Sequence, residues 1–186
     1  MTSGTASLLK LAAFLAAAGL GGCAAPPIQS FRQRPPAAPS GQSATVRLLS
    51  AHNRERAAAR AAPLAWDPAL AAGATAYARQ LAATGAFQHS DRRARRGIGE
   101  NLWMGTRGAF SPEQMVGNWA SEKRWFVPGI FPRVSRTGRW SDVAHYTQII
   151  WPATSRVGCG LASGRGRDVL VCRYAPAGNI DGRRVP

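Results

Sequence analysis

His145-Tyr146-Thr147-Gln148-Ile149-Ile150-Trp151 is the stretch on which the reading of this chain turns. Three segments precede it in the order Phe87-Gln88-His89-Ser90, Gly97-Ile98-Gly99-Glu100-Asn101-Leu102 and Trp119-Ala120-Ser121-Glu122. Together they deliver two imidazoles, His89 and His145, and two carboxylates, Glu100 and Glu122. Imidazole nitrogen suits borderline divalent metals such as zinc, while a carboxylate can ligate, orient a histidine or act as a base. The histidines are too far apart in sequence to form a local metal motif, so only a fold could join them.

Helical signals surround these segments. Ser43 is placed to cap a helix running through Val46, Leu49 and Asn53 to about Ala59, and Asp67-Pro68 reads as an N-cap followed by a first-turn proline. The second helix carries Leu70, Ala74, Tyr77, Ala78 and Leu81 at three- and four-residue spacing and stops at Gly85. Ser111-Pro112-Glu113-Gln114 reads as a capping box opening a third, with Met115, Trp119 and then Glu122 on one side of it. Residues 157–162 and 169–174 are predicted as two strands of an antiparallel hairpin about Ser163-Gly164-Arg165-Gly166. Helices early and strands late, without strand–helix alternation, make the fold class α+β.

The ordered set of segments resembles the CAP superfamily of cysteine-rich secretory proteins, antigen five and pathogenesis-related proteins. Also within the resemblance are Ala51-His52-Asn53-Arg54-Glu55-Arg56, Pro63-Leu64-Ala65-Trp66-Asp67, Gly158-Cys159-Gly160, Cys172-Arg173-Tyr174 and Pro176-Ala177-Gly178-Asn179. It spans roughly Thr45 to the C-terminus. It implies an α-β-α sandwich, a small antiparallel sheet with helices on both faces. It also implies a cleft in which His89 and His145 hold zinc or another divalent metal, with Glu100 and Glu122 as acidic partners. A disulfide between Cys159 and Cys172 is implied as well, two buried free thiols being the alternative. Lipid or sterol-like ligands belong to several members; no organic cofactor is expected. Cysteines that more crosslinked members carry near Gly85-Ala86 and Val143-Ala144 are missing here, and Arg183-Arg184-Val185-Pro186 lacks the terminal aromatic of the plant pattern. His52 is expected to make packing and hydrogen-bond contacts from the first helix, and Ser90 is not taken as a nucleophile, since adjacency to His89 in sequence is not adjacency in space.

Residues 1–22 read as an export signal, with Lys10 followed by an apolar run, Leu11 to Ala18, too short to span a bilayer. Leu20-Gly21-Gly22-Cys23 resembles the lipobox of bacterial lipoproteins, in which the cysteine is diacylated and becomes the new N-terminus. An ordinary signal peptide cut near Ala24 or Ala25 is the alternative. Lipidation of Cys23 would remove the oddity of three cysteines in an exported chain. Residues 23–42 include Pro26-Pro27, Pro35-Pro36 and Pro39 and read as an extended tether, leaving 43–186 as the domain. On either reading the mature protein is extracytoplasmic.

The formal net charge of +15 comes from 24 Lys and Arg against 9 Asp and Glu, and Arg92-Arg93-Ala94-Arg95-Arg96 lies directly between His89 and Glu100. Such basicity favours anionic envelope components, lipid head groups or wall polymers, while nucleic acid ranks last for want of a binding signature. The first functional reading is a binding module at the bacterial envelope, membrane-attached through its lipid anchor, whose cleft holds a divalent metal or a small or lipidic ligand. The alternative is a metal- or Glu/His-assisted hydrolase acting on peptides or envelope polymers, with Glu100 or Glu122 activating water. The sequence marks no stabiliser of developing charge, which makes the enzyme reading the weaker.

Overall fold

Residues 42–186 are described by the structure, a computed structural model. The stretch expected to hold an export signal, a lipidated Cys23 and a tether lies, up to residue 41, outside the described residues. Capping chemistry sets the helix starts. Helix α1 (Ala44–Ala58) begins where the Ser43 hydroxyl accepts from the Val46 N–H. Helix α2 (Pro68–Thr84) begins where the Asp67 carboxylate accepts from Ala69 and Leu70 N–H, and it ends at Gly85 with φ 78°. Helix α3 (Pro112–Ala120) opens on the Ser111/Gln114 capping box. Each cap satisfies amides that the first turn leaves without a partner.

Glu122 was expected on the same helix as Trp119, and there the structure differs. After Ala120 the chain tightens into a single 3₁₀ turn, Ser121–Arg124, that carries Glu122. Such tightening commonly finishes a helix because it gives the last carbonyls closer donors. Trp119 meanwhile stays in the core, its Nε1–H donating to the Leu102 carbonyl at 3.0 Å.

The main sheet runs in the order β1 (Ala65–Trp66), β4 (Arg156–Gly164), β5 (Arg167–Ala175), β2 (Gly99–Thr106). β4–β5 and β5–β2 are antiparallel, whereas the two-residue β1 pairs parallel to β4, a departure from the expected all-antiparallel sheet. The chain simply runs beside β4 on its way into α2, with Ala65 and Asp67 N–H donating to Ser155 and Val157 carbonyls. A second small sheet joins β3 (Gly129–Ile130) to β6 (Arg184–Val185). Helix α4 (Ala144–Ile150) contains the tetrapeptide.

Strand alternation divides the core in two. Trp103, Cys159, Leu170, Cys172 and Tyr174 face α1, α3 and α4 and pack with Leu48, Met115, Trp119 and Ile149. Leu102, Val169 and Val171 face α2 and pack with Ala74, Ala78 and Leu81. Helices therefore cover both faces of the sheet, as the α-β-α sandwich requires. α2 approaches β4 backbone to backbone. A Cβ at Gly158 would stand 2.3 Å from the Ala71 nitrogen, and one at Gly160 would stand 2.2 Å from Thr75 Cα. Only glycine permits that distance.

The β4–β5 hairpin turns on Arg165-Gly166, both with positive φ (51° and 73°), the backbone of a two-residue type I′ turn. Its register sets Cys159 opposite Cys172, and the two form a disulfide. Closing a loop of 13 residues restricts the unfolded chain, so replacing both cysteines with serine is expected to cost about 2–3 kcal/mol. Guanidinium denaturation under oxidising conditions measures it, and an unchanged midpoint would refute it.

Candidate metal-binding cleft

The tetrapeptide helix α4 is held from outside at nearly every residue. Tyr146 packs edge-on against Phe126 at 5.4 Å. The Thr147 hydroxyl donates to Asn179 Oδ1, and Asn179 Nδ2 donates to the Ala144 carbonyl. Gln148 Oε1 accepts from Gly178 N–H, and a Cβ on Gly99 or Gly178 would collide with the Gln148 amide, at 2.0 and 2.8 Å. The Pro-Ala-Gly-Asn segment and the Gly before Glu100 are thus seats for α4, and α4 in turn presents His145.

The four expected residues form two His–Glu pairs. Glu122 Oε1 lies 2.6 Å from His145 Nδ1, and its Oε2 accepts from the N–H groups of His145 and Tyr146, among the amides left open in the first turn of α4. Trp119 stacks on the His145 ring at 6.0 Å and 14°. In the other pair, Glu100 Oε1 lies 3.0 Å from His89 Nδ1 and accepts from Ser90 N–H, while Oε2 accepts from Ser90 Oγ. Both pairs are tied to the same stretch of β2. Glu100 belongs to it, the next residue, Asn101, donates to the His145 carbonyl at 3.2 Å, and Leu102 accepts from Trp119.

An ionised carboxylate can only accept, so Nδ1 is the donor in each pair, and the tautomer this selects is the one with its lone pair on Nε2. Among the described residues neither Nε2 makes a hydrogen bond, and the two rings are partly exposed, 51% for His89 and 32% for His145. An imidazole whose Nδ1 is backed by a carboxylate is a donor type that zinc-type ions use. Among the described residues, the side chains whose ligand atoms already gather within 4.8 Å of one another are His52, Cys159 and Cys172, a buried group whose sulfurs are bonded to each other.

Glu100 is the more constrained carboxylate. Burial works to raise its pKa, but the hydrogen bonds from His89 and Ser90, with the Arg95 charge, outweigh this and bring it to about 2. Arg95 and Arg173, at 3.7 and 3.3 Å, were not among the expected site residues. Arg173 sits opposite Glu100 in the β5–β2 register, a relation invisible until β2 is known to be a strand. Ser90, set aside as a nucleophile, holds Glu100 in place. His52 lies in the core as expected, with Nδ1 donating to the Leu48 carbonyl and Nε2 accepting from Tyr174. The Tyr174 hydroxyl accepts in turn from Asn101, so a buried chain of hydrogen bonds reaches the His145 carbonyl.

Comparison with known proteins agrees with this architecture. Residues 49–174 match the family model described as CAP, the cysteine-rich secretory protein family. Pathogenesis-related protein 1A of Nicotiana tabacum is 36% identical over 143 residues, covering 76% of this chain and 80% of the relative. Pathogenesis-related protein 1C of the same plant is 35% identical over 144 residues with the same coverage. The crystal structure of NaASP2 with Zn2+ is similar in fold, with a TM-score of 0.63 and 26% identity over 80% of this chain and 88% of that one. The sandwich and the matched sequence together define a CAP-type domain. The chain belongs to the cysteine-rich secretory protein (CAP) family.

Proposed function

We propose that the protein is an exported binding module whose cleft holds a divalent metal, zinc foremost, between His89 and His145, and with it a small or lipidic ligand at the cell envelope. The observation that carries this reading is the state of the two rings: each Nδ1 is committed to a carboxylate and each Nε2 is free. Export is supported by the secretory character of the family and by the signal-like N-terminus. Attachment through a lipidated Cys23 is part of the same reading, and mass spectrometry of the mature N-terminus tests it.

Both carboxylates are spent on orientation rather than left available as bases. Glu122 meets one ring nitrogen and two amides. Glu100, with a pKa of about 2, would take a proton at neutral pH only at considerable cost. This favours binding over the hydrolase alternative. The test is zinc calorimetry on wild type, His89→Ala and His145→Ala, with a peptide and ester turnover assay on the same samples. Each alanine variant is expected to weaken zinc by at least about a hundredfold, and Glu100→Gln or Glu122→Gln by about 10–100-fold. Unchanged zinc binding in both alanine variants sinks the metal assignment. Wild-type turnover that either glutamine variant abolishes would favour the hydrolase.

A further inference from the structure

Two guanidinium groups crowd the single Glu100 carboxylate. Arg173 Nε lies 3.3 Å from Oε2 and Arg95 Nε 3.7 Å from Oε1, with both arginine side chains less than one-fifth exposed. Each is pinned by further contacts. Arg95 donates to the Ser90 and Ile98 carbonyls, and Arg173 reaches Ser90 Oγ and lies over the Tyr77 ring at 5.8 Å. One negative charge against two positive ones leaves an excess of positive charge beside His89, where partial burial strengthens its field.

The turn next to this corner adds to it. It is closed by Ala94 N–H to the Asp91 carbonyl at 3.1 Å and by Ile98 N–H to the Arg95 carbonyl at 2.9 Å, and it carries Arg92, Arg93 and Arg96. All three are exposed, and among the described residues none of their guanidiniums has an ion pair or hydrogen bond. Asp91, the acid in this turn, accepts from the Arg93 backbone N–H.

We propose that this corner is an anion-binding site that receives a phosphate or phosphodiester group between the arginine turn and His89. Phosphate suits a turn with three unpaired guanidiniums better than a carboxylate does, because it offers more acceptor oxygens and more charge. The proposal deepens the cleft reading by naming the ligand class, but the anion site itself needs no metal. The phosphate can come from a lipid head group or from a soluble compound.

The experiment uses chelator-treated, metal-free protein at low ionic strength, with inorganic pyrophosphate titrated by calorimetry. Saturable binding is expected, weakened about tenfold or more when Arg92, Arg93 and Arg96 are all changed to Gln. A control variant, Arg133→Gln with Arg136→Gln and Arg183→Gln, removes the same charge from other segments and should stay within about twofold of wild type. Absence of saturable binding in wild type, or equal loss in both triple variants, overturns the proposal. Phosphatidylcholine vesicles with and without phosphatidylglycerol separate the sources. Capture by the anionic vesicles that needs the arginine turn identifies a lipid head group, and pyrophosphate binding without such capture identifies a soluble phosphate. Zinc calorimetry on the same preparations keeps the two readings apart, because either ligand can be lost while the other is retained.

Discussion

Replacing Arg56 with leucine is expected to remove about 4 kcal/mol of stability and to loosen His145 with it. Arg56 is fully buried without a carboxylate partner, and burial lowers its pKa. Its guanidinium donates to the carbonyls of Ala62, Ile149, Trp151 and Thr154. Ile149 and Trp151 lie at the C-terminal end of α4, where the helix dipole favours a cation. At the other end, Glu122 accepts from the His145 and Tyr146 amides. α4 has only 7 residues, too few to persist alone in water. A charged side chain from another element therefore holds each end of it. In the leucine variant four carbonyls lose a donor, and leaving a buried acceptor unmet costs about 1–3 kcal/mol each before relaxation. A loss of about 4 kcal/mol should lower the melting temperature by roughly 8–16 °C for a domain of this size. Arg56→Lys keeps the charge but not the fork of donors, and is expected to recover less than half. A leucine variant within about 1 kcal/mol of wild type in chemical denaturation would contradict this account.

Stability is also expected to fall as pH drops below about 6.5, with His52 as the main cause. His52 is fully buried between the Leu48 carbonyl and the Tyr174 hydroxyl. Burial lowers its pKa to about 4; the bond to Leu48 opposes this, and the Arg56 charge adds to it. In the unfolded chain it titrates near 6.5. Between these values the unfolded state takes up a proton that the native state refuses, so native stability declines with falling pH, approaching about 3 kcal/mol by pH 4. Glu100 adds a second window lower down. Its depressed pKa contributes stability that is present above about 4.5 and lost as pH falls toward 2. His52→Asn keeps a donor for Leu48. It should be less stable at neutral pH but clearly flatter between pH 6.5 and 4. A wild-type unfolding free energy that is constant across that interval would refute the assignment.

Local chemistry was legible and pairing was not. The starts of α1, α2 and α3 could be read from Ser43, Asp67-Pro68 and Ser111-Pro112-Glu113-Gln114, because a cap and the amides it serves lie within four residues of one another. The hairpin was legible for the same reason, its ladder being closed by a two-residue turn. β2 escaped notice because Gly99 to Trp103 are buried on both faces, which removes the polar alternation that marks a half-exposed strand. The helical continuation to Glu122 was misread because the switch to a 3₁₀ turn leaves no mark in residue spacing.

The candidate site shows the same division. The sequence by itself determined the α+β class, and its family resemblance, carried by the order of motifs along the chain, nominated His89, Glu100, Glu122 and His145 as the candidate site and implied the pairing of Cys159 with Cys172. Only the tertiary structure decided which carboxylate serves which imidazole, that both Nδ1 atoms are engaged, that Arg95 and Arg173 converge on Glu100, and that Arg56 and Glu122 hold opposite ends of α4. The physical reason is range. Capping and turn formation act over a few residues, whereas Arg56 meets Trp151 and Arg173 meets Glu100 across separations of 95 and 73 residues, distances in the chain that only the packed sheet and its two helical layers can close.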